Sequence, residues 1–396
     1  MPTFEEARKI ILDSVVPLGT EKVEILSAVG RVLAEDVSAP WDMPLWDNTA
    51  MDGYAVHSAD CSAGGTLKIV GFLPAGDHMT AELARGTAVK IMTGAPIPPG
   101  ADAVVPYEET EEQGDQVFIK SAVKQRDHIR FTGEDVKSGE TVLPRGTLLR
   151  PSEISMLASF GKVFVPVYRR VRVAILSTGD ELLEPGEALV PGKIINSNSL
   201  ALASAVMQAG GIPVMLGIAR DNRESLREKL VEGLRADVLI TSAGVSAGDC
   251  DYVRDVLSEL MVVQAFWKVD IKPGRPTAFG LRDGKPVFSL PGNPVSSLLT
   301  FEEFVRPALL KMMGHSRLLR PMVKATLREG IRKKPGRVNF IRVSVEQENG
   351  EFFVQSAGKQ DTGFLKTLLL ADGIAVIPAE LDDLKAGDQV DVHLID

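Results

Sequence analysis

Four short turns carry the residues best suited to chemistry. They are Ser177-Thr178-Gly179-Asp180-Glu181, Arg220-Asp221, Ser242-Ala243-Gly244-Val245-Ser246-Ala247-Gly248-Asp249 and Leu290-Pro291-Gly292-Asn293-Pro294. Each follows an apolar run that reads as a buried strand: VRVAIL, IPVMLGIA, DVLIT and VFS. In the third turn Gly244 and Gly248 allow the backbone to approach an anion closely, and Ser242 and Ser246 add hydroxyl donors. The helical pattern that follows offers free N–H groups and a positive dipole end. A phosphate suits such a loop, although a Gly/Ser turn after a strand is more often only a turn. There is no GKS/T signature and no strict GxGxxG, which argues against ordinary NTP or NAD binding.

Carboxylates cluster at the same turns: Asp180, Glu181, Asp221, Asp249 and Asp251. With no His or Cys among them, the set favours Mg²⁺, a hard ion that takes oxygen ligands and keeps several waters. Each carboxylate has a second reading as a turn former or helix cap. That reading is strongest for Asp249 and Asp251, which precede an apolar helical run. Further along, Lys268, Lys272 and Arg275 form a basic cluster. The two lysines are four residues apart in a strand-like segment and so share a face, either a ligand-binding face or a plainly solvated one. Near the N-terminus, Asp47–Ala55 is polar and aromatic without periodicity, as functional loops often are. Met92-Thr93-Gly94-Ala95-Pro96 and Gly133-Glu134-Asp135 are similar, and composition alone leaves all three as turns.

The elements that must position these residues fall into three regions. Strands alternating with helices over residues 169–315 predict a parallel α/β domain of three layers. Its ligands should bind outside the carboxyl ends of the strands, so that the four turns converge on one crevice. Residues 1–168 begin with a capped helix (Thr3 and Glu6 form a capping box) and become β-rich from about residue 66. Residues 321–396 read as a small β-barrel or sandwich.

Composition narrows the function classes. The chain has 396 residues, 44% of them hydrophobic, and a net charge of −9. An acidic chain of this kind is a poor general nucleic-acid binder, although a local basic cluster can still hold an anion. Cys61 and Cys250 form no CxxC or Cys/His spacing, which argues against zinc and iron–sulfur sites and for a reducing, cytoplasmic compartment. The start MPTFEEARKI does not read as a signal peptide, and no apolar run is long enough for a membrane span.

Taken in order, several stretches resemble the MoeA family of molybdopterin molybdenumtransferases, which includes the E domain of gephyrin. They are DNTAMDGYAV (47–56), IMTGAPIPPGADAVVP (91–106), GEDV (133–136), LSTGDEL (176–182) and GKIINSNS (192–199). TSAGVSAGDCDYV (241–253), WKVDIKPGRPTAFG (267–280), LPGNPVSS (290–297) and PGRVNFIRV (335–343) complete the set. The resemblance implies a central domain of molybdopterin-binding type and insertion of molybdenum from molybdate into adenylylated molybdopterin, with release of AMP and help from Mg²⁺. It implies a homodimer whose cleft draws on both chains, and makes the molybdopterin adenylyltransferase a candidate partner. By motif position it implies catalytic roles for Asp52, Asp135, Glu181 and Asp251. Thr93, Ser242, Gly244, Ser246, Lys268, Lys272, Arg275, Pro291, Pro294 and Arg337 are the expected substrate contacts. Glu181, Asp221, Asp249 and Asp251 are the expected metal ligands. A non-catalytic binding or scaffold protein on the same fold is the alternative, and a nucleotide hydrolase sharing only the α/β domain fits the two ends of the chain less well.

The chain departs from the family pattern twice. The usual Gly-Gly-Val-Ser is Ala243-Gly244-Val245-Ser246, and the extra methyl disfavours a positive φ. The loop is therefore expected to sit slightly differently, and Ala243 is not counted among the contacts. Where relatives carry a Ser-rich turn, this chain has Gly358-Lys359-Gln360-Asp361-Thr362-Gly363. There Asp361 would repel an anion and Thr362 would offer a hydroxyl.

Overall fold

The computed structural model describes residues 1–243 and 252–395. The chain forms two compact units. Met1–Ala34, Gly146–Pro151 and the chain from Phe164 onward make the first; Glu35–Arg145 and Ser152–Val163 make the second.

The first unit contains a six-stranded sheet. Its strands in chain order are β1 (Arg172–Thr178), β2 (Ile212–Ala219), β3 (Val238–Ser242), β4 (Val263–Phe266), β5 (Ala278–Arg282) and β6 (Lys285–Leu290). Their spatial order is β2-β1-β3-β6-β5-β4. Strands β2, β1, β3 and β6 pair in parallel, and β5 runs antiparallel to both of its neighbours. The sheet is thus mostly parallel, as the alternation of strands and helices predicts. The β5–β6 hairpin is the addition. Its two-residue turn, Asp283-Gly284, has φ of 52° and 76°, a conformation that Asp-Gly adopts readily.

Alternation along each strand sends side chains to two layers of helices. Val173, Ile175, Val238, Ile240 and Phe288 pack with Leu202 and Val206 of the helix Ser197–Gln208 and with Phe4, Ala7 and Ile11 of the helix Phe4–Ser14. Ala174, Leu176, Leu239 and Val287 face Leu226 and Leu230 of Arg223–Gly233 and Val253, Val256 and Leu257 of Tyr252–Glu259. Side-chain caps start three of these helices: Thr3 with its capping box, Asn196 and Asn222. The chain from Pro294 to Met312 is helical throughout but interrupted. Pro294–Thr300 and Arg306–Met312 flank a π-turn at Phe301–Val305.

The C-terminal region is a closed barrel, not a sandwich. Met322–Leu327, Val338–Glu348, Glu351–Ser356, Gly373–Ile377 and Gln389–Leu394 pair in a ring, closed by Val338–Glu348 against Gly373–Ile377. The short strand Ile271–Lys272 adds in parallel to the start of Val338–Glu348, which ties the lysine-bearing segment to the barrel.

The second unit is built on another six-stranded sheet, of Gly53–Val56, Gly65–Leu73, Thr87–Ile91, Ala103–Pro106, Thr110–Gln113 and Gln116–Ile119. Gly53 pairs so tightly here that a Cβ would lie 2.0 Å from the Val105 carbonyl oxygen. Only glycine fits beside Asp52.

Candidate functional site

Strand order determines where the principal cleft lies. The chain passes from β1 outward to β2 and then back across β1 to β3, so the order reverses between β1 and β3. Crevices form at such reversals, outside the carboxyl ends of the strands. A cleft of about 470 Å³ opens there, lined by Ser177, Thr178 and Glu181 after β1, Ser242 and Ala243 after β3, and Pro291–Pro294 after β6. The second turn joins the first directly. The Asp180 amide donates to the Asp221 carboxylate at 3.2 Å, and the Asp221 amide to the Asp180 carboxylate at 3.3 Å. The described parts of the four turns, the third represented by Ser242 and Ala243, therefore converge as predicted.

Two asparagines that sequence reasoning did not single out organise this cleft, and both lie in the stretch GKIINSNS. Asn198 Nδ2 donates to Ser242 Oγ at 3.0 Å and to the Gly292 carbonyl at 2.7 Å, binding the third turn to the fourth. Asn196 accepts from Ser177 Oγ at 3.0 Å and from the Ser199 amide at 3.3 Å. Asn196 lines the same cleft, and its Nδ2 is buried with no hydrogen-bond partner among the described residues. An unmet buried donor is costly, so a ligand acceptor would be bound there at a gain.

Ala243 does not follow expectation. It lines the cleft and adopts φ of 75° despite its methyl group. Its amide donates to the Leu290 carbonyl at 3.1 Å, and its Cβ sits where any side chain on Gly292 would press against it. The backbone bond to β6 and the close approach of Gly292 hold the strained conformation. Gly244, Ser246, Asp249 and Asp251 lie outside the described residues.

A second cleft, of about 360 Å³, lies where the lysine segment meets the barrel. Lys272, Arg332, Lys333, Asn339, Gln360 and Thr362 are among the residues lining it, with Glu329 as its carboxylate. Lys268 and Lys272 are both exposed and the intervening Val269 and Ile271 fully buried, but only Ile271–Lys272 is strand, with bends at Trp267 and Asp270. Only Lys272, however, lines this cleft; Lys268 and Arg275 are exposed outside both clefts. Arg337 pairs with Asp270 at 3.2 Å and so secures the lysine segment from the barrel side. Its carbonyl accepts from Lys333 Nζ at 3.1 Å. Burial pushes the Lys333 ammonium below its usual pKa.

The turn expected to repel an anion is arranged to avoid doing so. Arg342, fully buried, donates from Nη2 to the carbonyls of Lys359 and Asp361 and from Nε to Thr367 Oγ1. The Asp361 carboxylate is occupied by the Gly363 amide at 2.9 Å. Gln360 and Thr362 line the cleft and Asp361 does not. Arg332, Lys333, Gln360 and Asn339 were missed by sequence reasoning, because nothing in the barrel pattern shows which strand ends face the lysine segment.

In the second unit Asp52 and Thr93 are brought together. Thr93 donates to Asp52 Oδ1 from its amide at 2.7 Å and from its hydroxyl at 2.6 Å. These bonds hold the Asp52 pKa below the ordinary carboxylate value. The pair is therefore intact at neutral pH and is lost only as pH falls through that depressed pKa. Asp135 lines a different hollow, of about 690 Å³, with Trp41, Met43, Arg130 and Glu134.

The donor set suits a hard cation. Glu181 folds its carboxylate over Gly179 at the cleft, beside the Asp180–Asp221 pair. No group of three or more metal-ligating side chains is gathered among the described residues. One or two carboxylates with the remaining positions left to water is the usual Mg²⁺ arrangement, and these oxygen donors fit it.

Known proteins match this chain along its whole length. Three family models align in order: the MoeA N-terminal region (domain I and II) over residues 2–161, the probable molybdopterin binding domain over 174–311 and the MoeA C-terminal region (domain IV) over 324–395. The molybdopterin molybdenumtransferase of Haemophilus influenzae is 36% identical over 398 residues, covering 99% of this chain and 98% of its own. Molybdopterin molybdenumtransferase 2 of Mycobacterium tuberculosis is 37% identical over 404 residues, covering 99% of each chain. The crystal structure of the molybdopterin biosynthesis moeA protein of Pyrococcus horikoshii OT3 superposes with a TM-score of 0.85 at 35% identity, covering 100% of each chain.

Proposed function

This chain belongs to the MoeA family, and on that premise we propose that it is a molybdopterin molybdenumtransferase acting in molybdenum cofactor biosynthesis. It would place molybdenum from molybdate on the dithiolene of adenylylated molybdopterin, with release of AMP. The observation that carries this reading is the pairing of a cleft lined mainly by amides and hydroxyls, with Glu181 as its charged group, with a cationic one within a single unit.

The chemistry divides between them. The cleft at the strand ends offers neutral donors: the orphan Asn196 amide and the Ser242 hydroxyl. Such groups orient a pterin or a phosphodiester without a large desolvation cost. The barrel-side cleft offers Lys272, Arg332 and Lys333 to a small oxyanion, with Thr362 as a hydroxyl donor. Glu181 and Asp221 would hold Mg²⁺, which when bound polarises the phosphate linkage to AMP. Molybdate fixed against a positioned dithiolene needs no further approach through solvent, and positioning alone lowers the barrier substantially. The Asp52–Thr93 pair keeps a carboxylate ionised at neutral pH, ready to accept a hydrogen bond.

The same reading includes a homodimer. Leu200 and Met207 on the helix Ser197–Gln208 and Met215 on strand β2 are exposed, apolar side chains that a second copy would cover. A cytoplasmic location and contact with the molybdopterin adenylyltransferase belong to it too. Among the described residues no helix is long and apolar enough to cross a membrane.

AMP release from adenylylated molybdopterin, followed on adding molybdate, tests the proposal. Release should require molybdate, stop on chelation and return with Mg²⁺. Tight binding of the adenylylated substrate with no molybdate-dependent release would sink it in favour of a binding protein.

A further inference from the structure

Four arginines gather at the other end of the central sheet. Arg31, Arg169, Arg170 and Arg172 line a hollow of about 470 Å³, together with Ser27 and Glu21. Strand β1 runs from Arg172 to Thr178. The hollow and the strand-end cleft are thus separated by the length of that strand, roughly 20 Å at the rise of an extended chain. The hollow takes no part in the chemistry proposed above.

Two of the arginines are already engaged. Arg169 makes a two-pronged pair with Asp237 at 2.8 and 2.7 Å. Arg31 pairs with Glu21 and donates to the Tyr168 carbonyl at 2.6 Å. These two carboxylates offset only half of the four guanidinium charges, in a chain whose net charge is −9. Arg170 and Arg172 are exposed, and neither side chain has a hydrogen-bond or ion-pair partner among the described residues. Arg31 is only 8% exposed, yet its Nε is buried without a partner.

We propose that this hollow is a second anion site, for a ligand carrying two adjacent phosphoryl groups, such as inorganic pyrophosphate or a nucleoside diphosphate. A guanidinium pairs bidentately with phosphate oxygens, and Arg170 and Arg172 supply two free forks. Both line the hollow, with the buried Val171 between them. Two adjacent phosphoryl groups present oxygens for both forks at once, and their charge offsets the two guanidiniums that no carboxylate pairs. Ser27 adds a hydroxyl donor at the rim.

Calorimetric titration of the full chain with inorganic pyrophosphate tests this. One site per chain is expected, weakened at least tenfold in Arg170→Gln/Arg172→Gln and retained in Lys272→Ala. Unchanged melting of the double variant would show that it is folded, and an Arg172→Gln single variant should show an intermediate loss. Binding that survives the double variant, or that disappears with Lys272→Ala, would place pyrophosphate in the barrel-side cleft and overturn the proposal. So would the absence of any saturable binding, or a preference for a hexaglutamate peptide, which would make the hollow a docking surface for an acidic protein segment.

Discussion

The cleft at the strand ends and the cleft beside the barrel share one unit and differ in almost every physical respect. The first is lined by amides, hydroxyls and prolines, with Glu181 as its charged group. The second is lined by Lys272, Arg332 and Lys333 with Glu329, and Arg332 also pairs with Asp383 at 3.2 Å. A large organic substrate with a few polar edges is best held by neutral donors in a shaped, partly apolar space. A small, strongly hydrated oxyanion needs full opposite charges to replace its water. The contrast fits the proposed division between a large organic substrate and a small oxyanion.

The largest effect should come from removing charge at the second cleft. Lys272→Ala should raise the molybdate concentration for half-maximal AMP release by about ten- to a hundredfold, the loss of a charge-assisted hydrogen bond. The half-saturating concentration of adenylylated molybdopterin should stay the same. If both constants rise together, the two clefts are not separate in function.

Asn198→Ala is the complementary test. It frees the third turn from the fourth by removing both bonds of Nδ2. The KM for the adenylylated substrate should rise on the order of tenfold, with molybdate dependence unchanged. A variant with wild-type KM would mean that the cleft does not need this brace.

Ionic strength should separate the clefts without mutation. Exposed charges are screened within about 8 Å at physiological salt, and neutral hydrogen bonds are not. Raising the salt several-fold should weaken apparent molybdate affinity a few-fold and leave the organic substrate's KM nearly constant. Parallel slopes for both substrates would erase the distinction drawn between neutral and charged recognition.

The smallest effect concerns Ala243. Its φ of 75° is unfavourable for any residue with a Cβ, so Ala243→Gly should stabilise the fold by up to about 1 kcal/mol, read from chemical denaturation. Destabilisation would mean that the methyl packs in the cleft more favourably than its backbone is strained.

Several features of this protein were legible from its residues alone. Continuous apolar runs separated by helical periods are enough to specify a parallel sheet in three layers, because only burial on both faces permits such runs. Turns such as Ser177–Glu181 and Leu290–Pro294 then fall at strand ends by arithmetic, and the convergence of the four turns follows from topology. The Thr3–Glu6 capping box is local and was equally visible. The β5–β6 hairpin could have been read from Asp283-Gly284, a signal that was passed over.

Other features depend on contacts between segments far apart in the chain. Lys272 meets Arg332 and Lys333 because Ile271–Lys272 adds a strand to the barrel at Val338 and Asn339, a pairing across some 67 residues that no periodicity encodes. The turn at 358–363 presents Thr362 and not Asp361 because buried Arg342 fastens its carbonyls. Ala243 tolerates its left-handed backbone because Leu290 and Gly292 hold it there. Sequence specifies elements through short-range sterics and burial period; which charged ends meet is decided only when those elements pack, because hydrogen bonding and electrostatics depend on distance in space and not on distance along the chain.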